Sequence, residues 1–191
     1  MLGLFKSKDK IDLSIILSQH LNEPDCFLGI FSTTTIIYLP TSMKIGIAAD
    51  HGGFELKEKL KLQIEKLGFE LTDFGAEAYE ANDDYPDFAI PLAKAVGAKK
   101  IERGIVLCGS GVGACFTVNK VKGVRAALLT ETYSAHQGVE HDDMNIICIG
   151  GRVVGDQLAW EIVQAFLRAN YSGEERHERR LKKVKELEKE Q

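Results

Sequence analysis

The residue with the clearest chemical potential is Cys108, which directly precedes a glycine-rich loop at residues 109–113. The loop reads Gly-Ser-Gly-Val-Gly and opens a segment with a helical pattern. Backbone N–H groups in such a loop approach an anion closely, and a helix N-terminus favours the thiolate form of a nearby cysteine. Ser110 adds a hydroxyl that can hydrogen-bond a substrate oxygen. We therefore predict an anion-binding loop with a reactive thiol at its start.

The glycine spacing of this loop excludes two common phosphate-binding motifs. A P-loop carries a lysine after its last glycine, and a dinucleotide-binding loop has the spacing G-x-G-x-x-G; residues 109–113 have neither. The later thiols, Cys115 inside the helix and Cys148 inside a strand, are interpreted as buried and inert. The loop members expected to contact the substrate are Gly109, Gly111, Val112 and Gly113.

Two histidines, His51 and His141, lie in segments that we interpret as polar loops, where an imidazole can act on a ligand. His51 follows Asp50, and both come directly after an apolar run. His141 precedes Asp142. Because no H-x-x-x-H or paired-ligand spacing surrounds these residues, we expect no bound metal.

Five short apolar runs alternate with helical patterns from residue 43 onward. This alternation predicts an α/β fold with a doubly wound, mostly parallel, five-stranded sheet. The predicted strands are residues 44–49, 69–74, 104–108, 124–129 and 146–149. The predicted helices cover 54–67, 86–98, the segment from the glycine loop to about 121, 132–138, 156–169 and 174–191. Ligands of such sheets bind beyond the carboxyl ends of the strands, where Asp50, Cys108 and Arg152 fall.

Charge and cysteine content exclude several other classes of protein. A formal net charge of -4 leaves no sustained basic face for nucleic acid. The four cysteines form neither a disulfide framework nor a zinc pattern, which indicates reduced thiols in the cytoplasm. No apolar run is long enough to cross a bilayer. We therefore expect a cytoplasmic protein that contacts neither membrane nor nucleic acid.

The two ends of the chain differ from its centre. The regular pattern begins only at Met43, so we expect residues 1–42 to form a weakly ordered extension without a catalytic role. The main domain is predicted at residues 43–172 and a charged helix at residues 173–191. In that helix Leu181, Val184 and Leu187 form one narrow apolar stripe. A stripe this thin is poorly stable alone, which predicts that the helix docks on a partner subunit.

Arg176 and Arg180 lie about one turn apart on this helix and therefore share a face. Two arginines on one face suit a phosphate clamp. The sequence pattern leaves open the alternative that both are solvated surface charges.

Taken in order, these motifs resemble the family of ribose-5-phosphate isomerase B, which also contains the galactose-6-phosphate isomerase subunits. The resemblance runs from residue 43 to about residue 188. The matching stretches are residues 45–53, 84–86, 104–113, 119–120, 133–135, 141–145 and 151–155, followed by Arg176, His177 and Arg180. The resemblance implies a Rossmann-like subunit that forms a homodimer, or a tetramer of paired dimers, with active sites built from both chains. It also implies an enzyme of the pentose phosphate pathway that needs no cofactor.

The resemblance assigns roles to the catalytic residues. Cys108 resembles the base that moves a proton between C1 and C2 of the sugar through a cis-enediolate, and Ser110 stands where a serine or threonine assists. The amides of residues 109–113 would hold the developing enediolate oxygens. His141 resembles the residue that opens the furanose ring, with Asp50 nearby.

The resemblance also assigns the binding residues. The phosphate and sugar contacts are His51, Arg152, Arg176 and Arg180, and the ring-side contact is Tyr85. Asp142 departs from the family pattern, because many members carry asparagine at this position. Its added negative charge is expected to alter the sugar preference.

Two alternative functions follow from the same sequence. The first is isomerisation of a different sugar phosphate, such as allose 6-phosphate or galactose 6-phosphate. The second is a non-catalytic phosphate-binding module, for which an α/β fold alone would be equally good evidence. The combination of Cys108, His141 and the arginines favours an enzyme over a binding module.

Overall fold

The computed structural model describes residues 43–190, so the extension predicted at residues 1–42 lies outside the described residues. The strands are β1 (Lys44–Ala49), β2 (Glu70–Asp73), β3 (Arg103–Cys108), β4 (Ala126–Leu128) and β5 (Ile146–Gly150). The helices are α1 (Phe54–Lys66), α2 (Tyr85–Gly97), α3 (Val112–Val118), α4 (Thr132–Asp142), α5 (Asp156–Arg168) and α6 (Glu175–Leu187). Within this part of the chain no helix combines the length and hydrophobicity needed to span a membrane.

The five strands form one sheet in the order β2-β1-β3-β5-β4, and every neighbouring pair is parallel. The predicted five-stranded α/β sheet is confirmed, and it is parallel throughout. Strand β1 lies between β2 and β3, so the chain extends the sheet first towards one edge and then towards the other. The ends of β1 and β3 therefore mark the topological switch point, where sheets of this kind bind ligands.

Helices cover both faces of the sheet. Helices α1, α4 and α5 pack on one face, and α2 and α3 pack on the other. In β1, for example, Ile45 and Ile47 contribute to the first core and Ala48 to the second. Because both faces are covered, the central strands β1, β3 and β5 are almost wholly buried and read as continuous apolar runs.

Helix α4 extends beyond the predicted residues 132–138, because it continues through Gly138 to Asp142. A β-carbon at Gly138 would lie 2.8 Å from Cε of Met144, so this glycine permits close packing and does not end the helix. The helix ends at Asp143, whose φ of 49° is left-handed. The prediction that His141 lies in a polar loop is therefore wrong, because His141 belongs to the last turn of α4.

Helix α6 lies within the segment predicted to be a charged C-terminal helix and packs beside α4 of the same chain. Of its apolar stripe, Leu181 is buried, whereas Val184 and Leu187 are 49% and 58% exposed. Docking of α6 on a partner subunit stays a prediction. Val184 and Leu187 are the residues of the stripe that are exposed and could contact such a partner.

Candidate active site

An open cleft of ≈ 440 Å³ lies at the switch point, beyond the carboxyl ends of β1 and β3. The residues that line it are Asp50, His51, Tyr85, Cys108, Gly109, Ser110, Gly113, Arg152 and Val153. All of them except Val153 were predicted from the sequence to act on the substrate or bind it. The fold thus brings these side chains together, while the role of each stays a prediction.

Cys108 is the last residue of β3 and is only 4% exposed. Its Sγ accepts a hydrogen bond of 3.1 Å from the N–H of Gly111, and a hydrogen bond donated to sulfur stabilises negative charge there. Gly111 has a φ of 79°, and a β-carbon at this position would lie 2.5 Å from Cδ1 of Leu128. A glycine is therefore required for the loop to turn its amide back towards the thiol.

Within the loop, Gly109, Ser110 and Gly113 line the cleft. Ser110 lines the cleft, and its Oγ accepts a hydrogen bond of 3.3 Å from the N–H of Val112. Gly113 packs so closely on Tyr85 that a β-carbon would lie 2.7 Å from the phenol ring. Gly111 and Val112 were predicted to bind substrate but do not line the cleft.

Asp50 is buried directly after β1. Its Oδ1 accepts hydrogen bonds of 2.8 Å from the N–H of Gly52 and 3.2 Å from the N–H of Gly53. Burial raises the pKa of the Asp50 carboxyl, and the Gly52 hydrogen bond partly opposes this effect. A buried carboxyl with a raised pKa beside a cleft is suited to transferring protons.

His51 is held by a residue to which the sequence assigned no role, Asp83. The Oδ1 of Asp83 accepts hydrogen bonds from the His51 backbone N–H at 2.9 Å and lies 2.7 Å from His51 Nδ1. Atoms of these two residues and of Asp50 lie within 4.8 Å of one another, close enough to hold a cation. Because His51 and Asp83 already bond to each other, we interpret the group as a hydrogen-bonded cluster, and catalysis without metal stays a prediction.

A second group of predicted site residues, His141, Asp142, Arg176 and Arg180, lies on α4 and α6. We term these four residues, together with His177, the α4–α6 group. The rings of His141 and His177 have centroids 4.0 Å apart, and His141 Nδ1 hydrogen-bonds to Nε2 of Gln137 at 2.7 Å. The Nε of Arg176 lies 3.0 Å from His177 Nε2 and 2.8 Å from a carboxylate oxygen of Glu174. Burial, with the charge of His141 close by, lowers the pKa of His177.

Besides Gly111 and Val112, four predicted site residues do not line the cleft of their own chain. His141, Asp142, Arg176 and Arg180 are on α4 and α6 and do not line the cleft around Cys108. Asp142, Arg176 and Arg180 are exposed. A single chain thus carries two separate parts of the predicted site.

The described thiols differ in their surroundings. Cys148 is buried in β5, as predicted. The prediction that Cys115 is buried is wrong, because Cys115 is only half-buried. Its pKa is lowered to about 7, first by a hydrogen bond from Cys148. Asn119 also approaches the Cys115 sulfur, at 3.6 Å. This pairing could not be predicted from the sequence pattern, because it depends on the packing of α3 against β5.

A parallel α/β sheet with a thiol, two carboxylates and an imidazole gathered at its switch point defines a Rossmann-like enzyme. The model of the ribose/galactose isomerase family matches residues 45–184. The chain is 39% identical to ribose-5-phosphate isomerase B of Escherichia coli over 145 residues, which is 76% of this chain and 96% of that protein. It is also 39% identical over 131 residues to D-erythrulose-4-phosphate isomerase of Pectobacterium atrosepticum, covering 69% of this chain and 86% of that one.

Among solved structures, one similar chain is ribose-5-phosphate isomerase B from Mycoplasma genitalium with bound ribulose-5-phosphate. It is 42% identical, has a TM-score of 0.75, and the match covers 78% of this chain and 99% of that one. The chain belongs to the ribose/galactose isomerase family, and it is an isomerase.

Proposed function

We propose that the chain interconverts ribose 5-phosphate and ribulose 5-phosphate, with Cys108 as the base. The observation that carries this proposal is the position of the Cys108 thiol, which lies in the cleft and accepts a hydrogen bond from the Gly111 N–H. A thiolate stabilised in this way can remove a proton from carbon next to a carbonyl group. The relatives that are named ribose-5-phosphate isomerase B support a pentose phosphate as the substrate.

In this mechanism the Cys108 thiolate removes the proton from C2 of the open-chain aldose. The electrons move onto O1 and give a cis-enediolate, whose oxygens would be held by the amides of residues 109–113. The thiol then returns the proton to C1 while a proton passes from O2 to O1, which leaves the carbonyl at C2. Ser110, which lines the same cleft, would assist the transfer between the two oxygens in this proposal.

The mechanism further requires ring opening and phosphate binding, for which we propose a homodimer. His141, Arg176 and Arg180 belong to the α4–α6 group and do not line the cleft of their own chain. The same chain exposes the large apolar side chains of Val112 and Phe116 on α3, of Tyr133 on α4 and of Val153 after β5. An isologous dimer that buries them would join the cleft of one subunit to the α4–α6 group of the other.

A purified single chain tests the proposed substrate. We expect turnover of ribose 5-phosphate with kcat/KM at least about tenfold above that for allose 6-phosphate, galactose 6-phosphate or erythrulose 4-phosphate, because a pocket discriminates sugars of different length by 1–3 kcal/mol. A preference for one of the other three would favour the alternative in which Asp142 changes the sugar specificity. No turnover of ribose 5-phosphate, despite binding, would overturn the proposed substrate.

His141→Asn is expected to slow conversion of ribose 5-phosphate about 100-fold or more, because loss of acid–base help at the anomeric oxygen removes catalysis of ring opening. Ribulose 5-phosphate cannot close a furanose ring, since its C5 hydroxyl carries the phosphate. The initial rate of the reverse reaction should therefore fall much less. Both rates can be measured by a stopped assay for the ketose.

The matched control is His136→Asn, which changes an exposed histidine of the same helix. It should leave both directions near the wild-type rate. Equal slowing of both directions by His141→Asn would assign that residue a role in the proton transfer itself.

A further inference from the structure

Asp83 holds His51 at two points, its backbone N–H and its ring. Its Oδ1 accepts from the His51 backbone N–H at 2.9 Å and from His51 Nδ1 at 2.7 Å. The first contact fixes the backbone after β1, and the second fixes the rotation of the ring. Tyr79 lies edge-on to the same ring, with centroids 6.4 Å apart, and adds a contact without a directed hydrogen bond. Among the described contacts, Asp83 therefore provides the directional restraint on His51.

The charge of Asp83 is largely withdrawn from solvent. Its side chain is 10% exposed, and its Oδ2 is buried without a hydrogen-bond partner among the described residues. A buried carboxylate with one unsatisfied oxygen is costly unless a positive group lies beside it. Asp50 is a second carboxyl in this cluster and cannot fill that need. The His51 ring, which can carry a positive charge, is the group in direct contact with Asp83.

The Nδ1 contact also determines what His51 can do in the cleft. With Nδ1–H donating to Asp83, a neutral imidazole presents Nε2 as an acceptor, and only the imidazolium presents Nε2–H as a donor. A phosphate oxygen requires a donor. An imidazolium between a carboxylate and a phosphate contacts a negative group on each side. In many sites a carboxylate that hydrogen-bonds one ring nitrogen orients the histidine so that its other nitrogen faces the ligand.

We propose that Asp83 is a positioning residue that fixes the His51 ring through Nδ1 and leaves Nε2 to donate to the bound substrate phosphate. Asp83 does not line the cleft, so it acts through His51 and not on the sugar. This inference rests on the proposed function in one respect, the phosphate contact of His51.

Nitrogen-15 NMR of the histidine rings tests the first half of the proposal without turnover. In the wild-type protein both His51 nitrogens should give the shifts of a protonated ring when inorganic phosphate is bound. In Asp83→Asn, which keeps the shape but removes the charge, Nε2 should move towards the unprotonated shift. Unchanged His51 shifts in Asp83→Asn would overturn the proposal, whatever the protein catalyses.

Binding and kinetics test the second half. Asp83→Asn should weaken binding of inorganic phosphate and of ribulose 5-phosphate about tenfold, measured by calorimetry, and raise KM more than it lowers kcat. The matched control Asp84→Asn removes a neighbouring exposed carboxylate and should change neither. In a His51→Ala background, Asp83→Asn should have no further effect on phosphate binding. An equal further loss in that background would show that Asp83 acts independently of His51 and would overturn the proposal.

Discussion

Cys108→Ala is expected to lower kcat by about 10³–10⁴-fold while leaving substrate binding nearly intact. The thiolate acts on the C–H bond, whereas the groups predicted to bind phosphate lie on other side chains. The variant should also lose exchange of the substrate C2 hydrogen with solvent, which proton NMR in heavy water measures directly. Calorimetric binding of ribose 5-phosphate and the thermal midpoint should stay close to wild type, because the β3 core loses only one sulfur atom.

The matched control for this variant is Cys115→Ala. Cys115 has a pKa lowered to about 7 and is half-buried, so an alkylating reagent should modify it as well as Cys108. Inactivation by such a reagent alone therefore does not identify the base. Cys115→Ala should keep activity, and Cys108→Ala should lose it even when Cys115 is intact. Substantial C2 exchange by Cys108→Ala would refute its assignment as the base.

Mixing two inactive variants is expected to restore activity if the α4–α6 group serves the partner's cleft. One variant is Cys108→Ala, and the other is Arg176→Ala/Arg180→Ala. Each heterodimer would have one site with both defects and one whole site. With random exchange half of the dimers are mixed, so about a quarter of all sites should be active. The gain should appear as kcat per total protein, measured after subunit exchange.

A second mixture provides the control for this experiment. His51 and Cys108 line the same cleft, so Cys108→Ala mixed with His51→Ala leaves one defect in every site and should show no comparable recovery. Native mass spectrometry of isotope-labelled subunits establishes that exchange has occurred. If the arginine variant fails to recover activity although mixed dimers form, the arginines serve their own chain and the proposed crossing of α6 is wrong.

The central strands could be predicted from the sequence because they are buried on both faces. The residues predicted for strand β1 are those at which the strand is found. The edge strand β4 is shorter than predicted. The extent of α4 could not be foreseen, because Gly138 is required by its contact with Met144, and the sequence pattern alone does not distinguish a packing glycine from one that ends a helix.

The candidate site was predictable where it follows the ends of strands. Asp50, Cys108 and Arg152 are sequence neighbours of apolar runs, and parallel strands bring their carboxyl ends together. Asp83 was missed because it belongs to an acidic loop that pairs with His51 only through tertiary structure. The stacking of His141 on His177 was missed for the same reason, since it depends on how α6 packs beside α4.

The close packing of the 109–113 loop has a consequence for how a substrate would be received. At Gly111 a β-carbon would collide with Leu128, at Gly113 it would collide with Tyr85, and at Gly150 it would lie 2.7 Å from the Ser110 carbonyl oxygen. A loop in contact on so many sides has no room to swing over a ligand. This packing orients its amides, so the entropy of ordering them is lost when the chain folds and not when the sugar arrives. Any closure over the reacting carbons must then come from other segments of the chain, because this loop keeps its position.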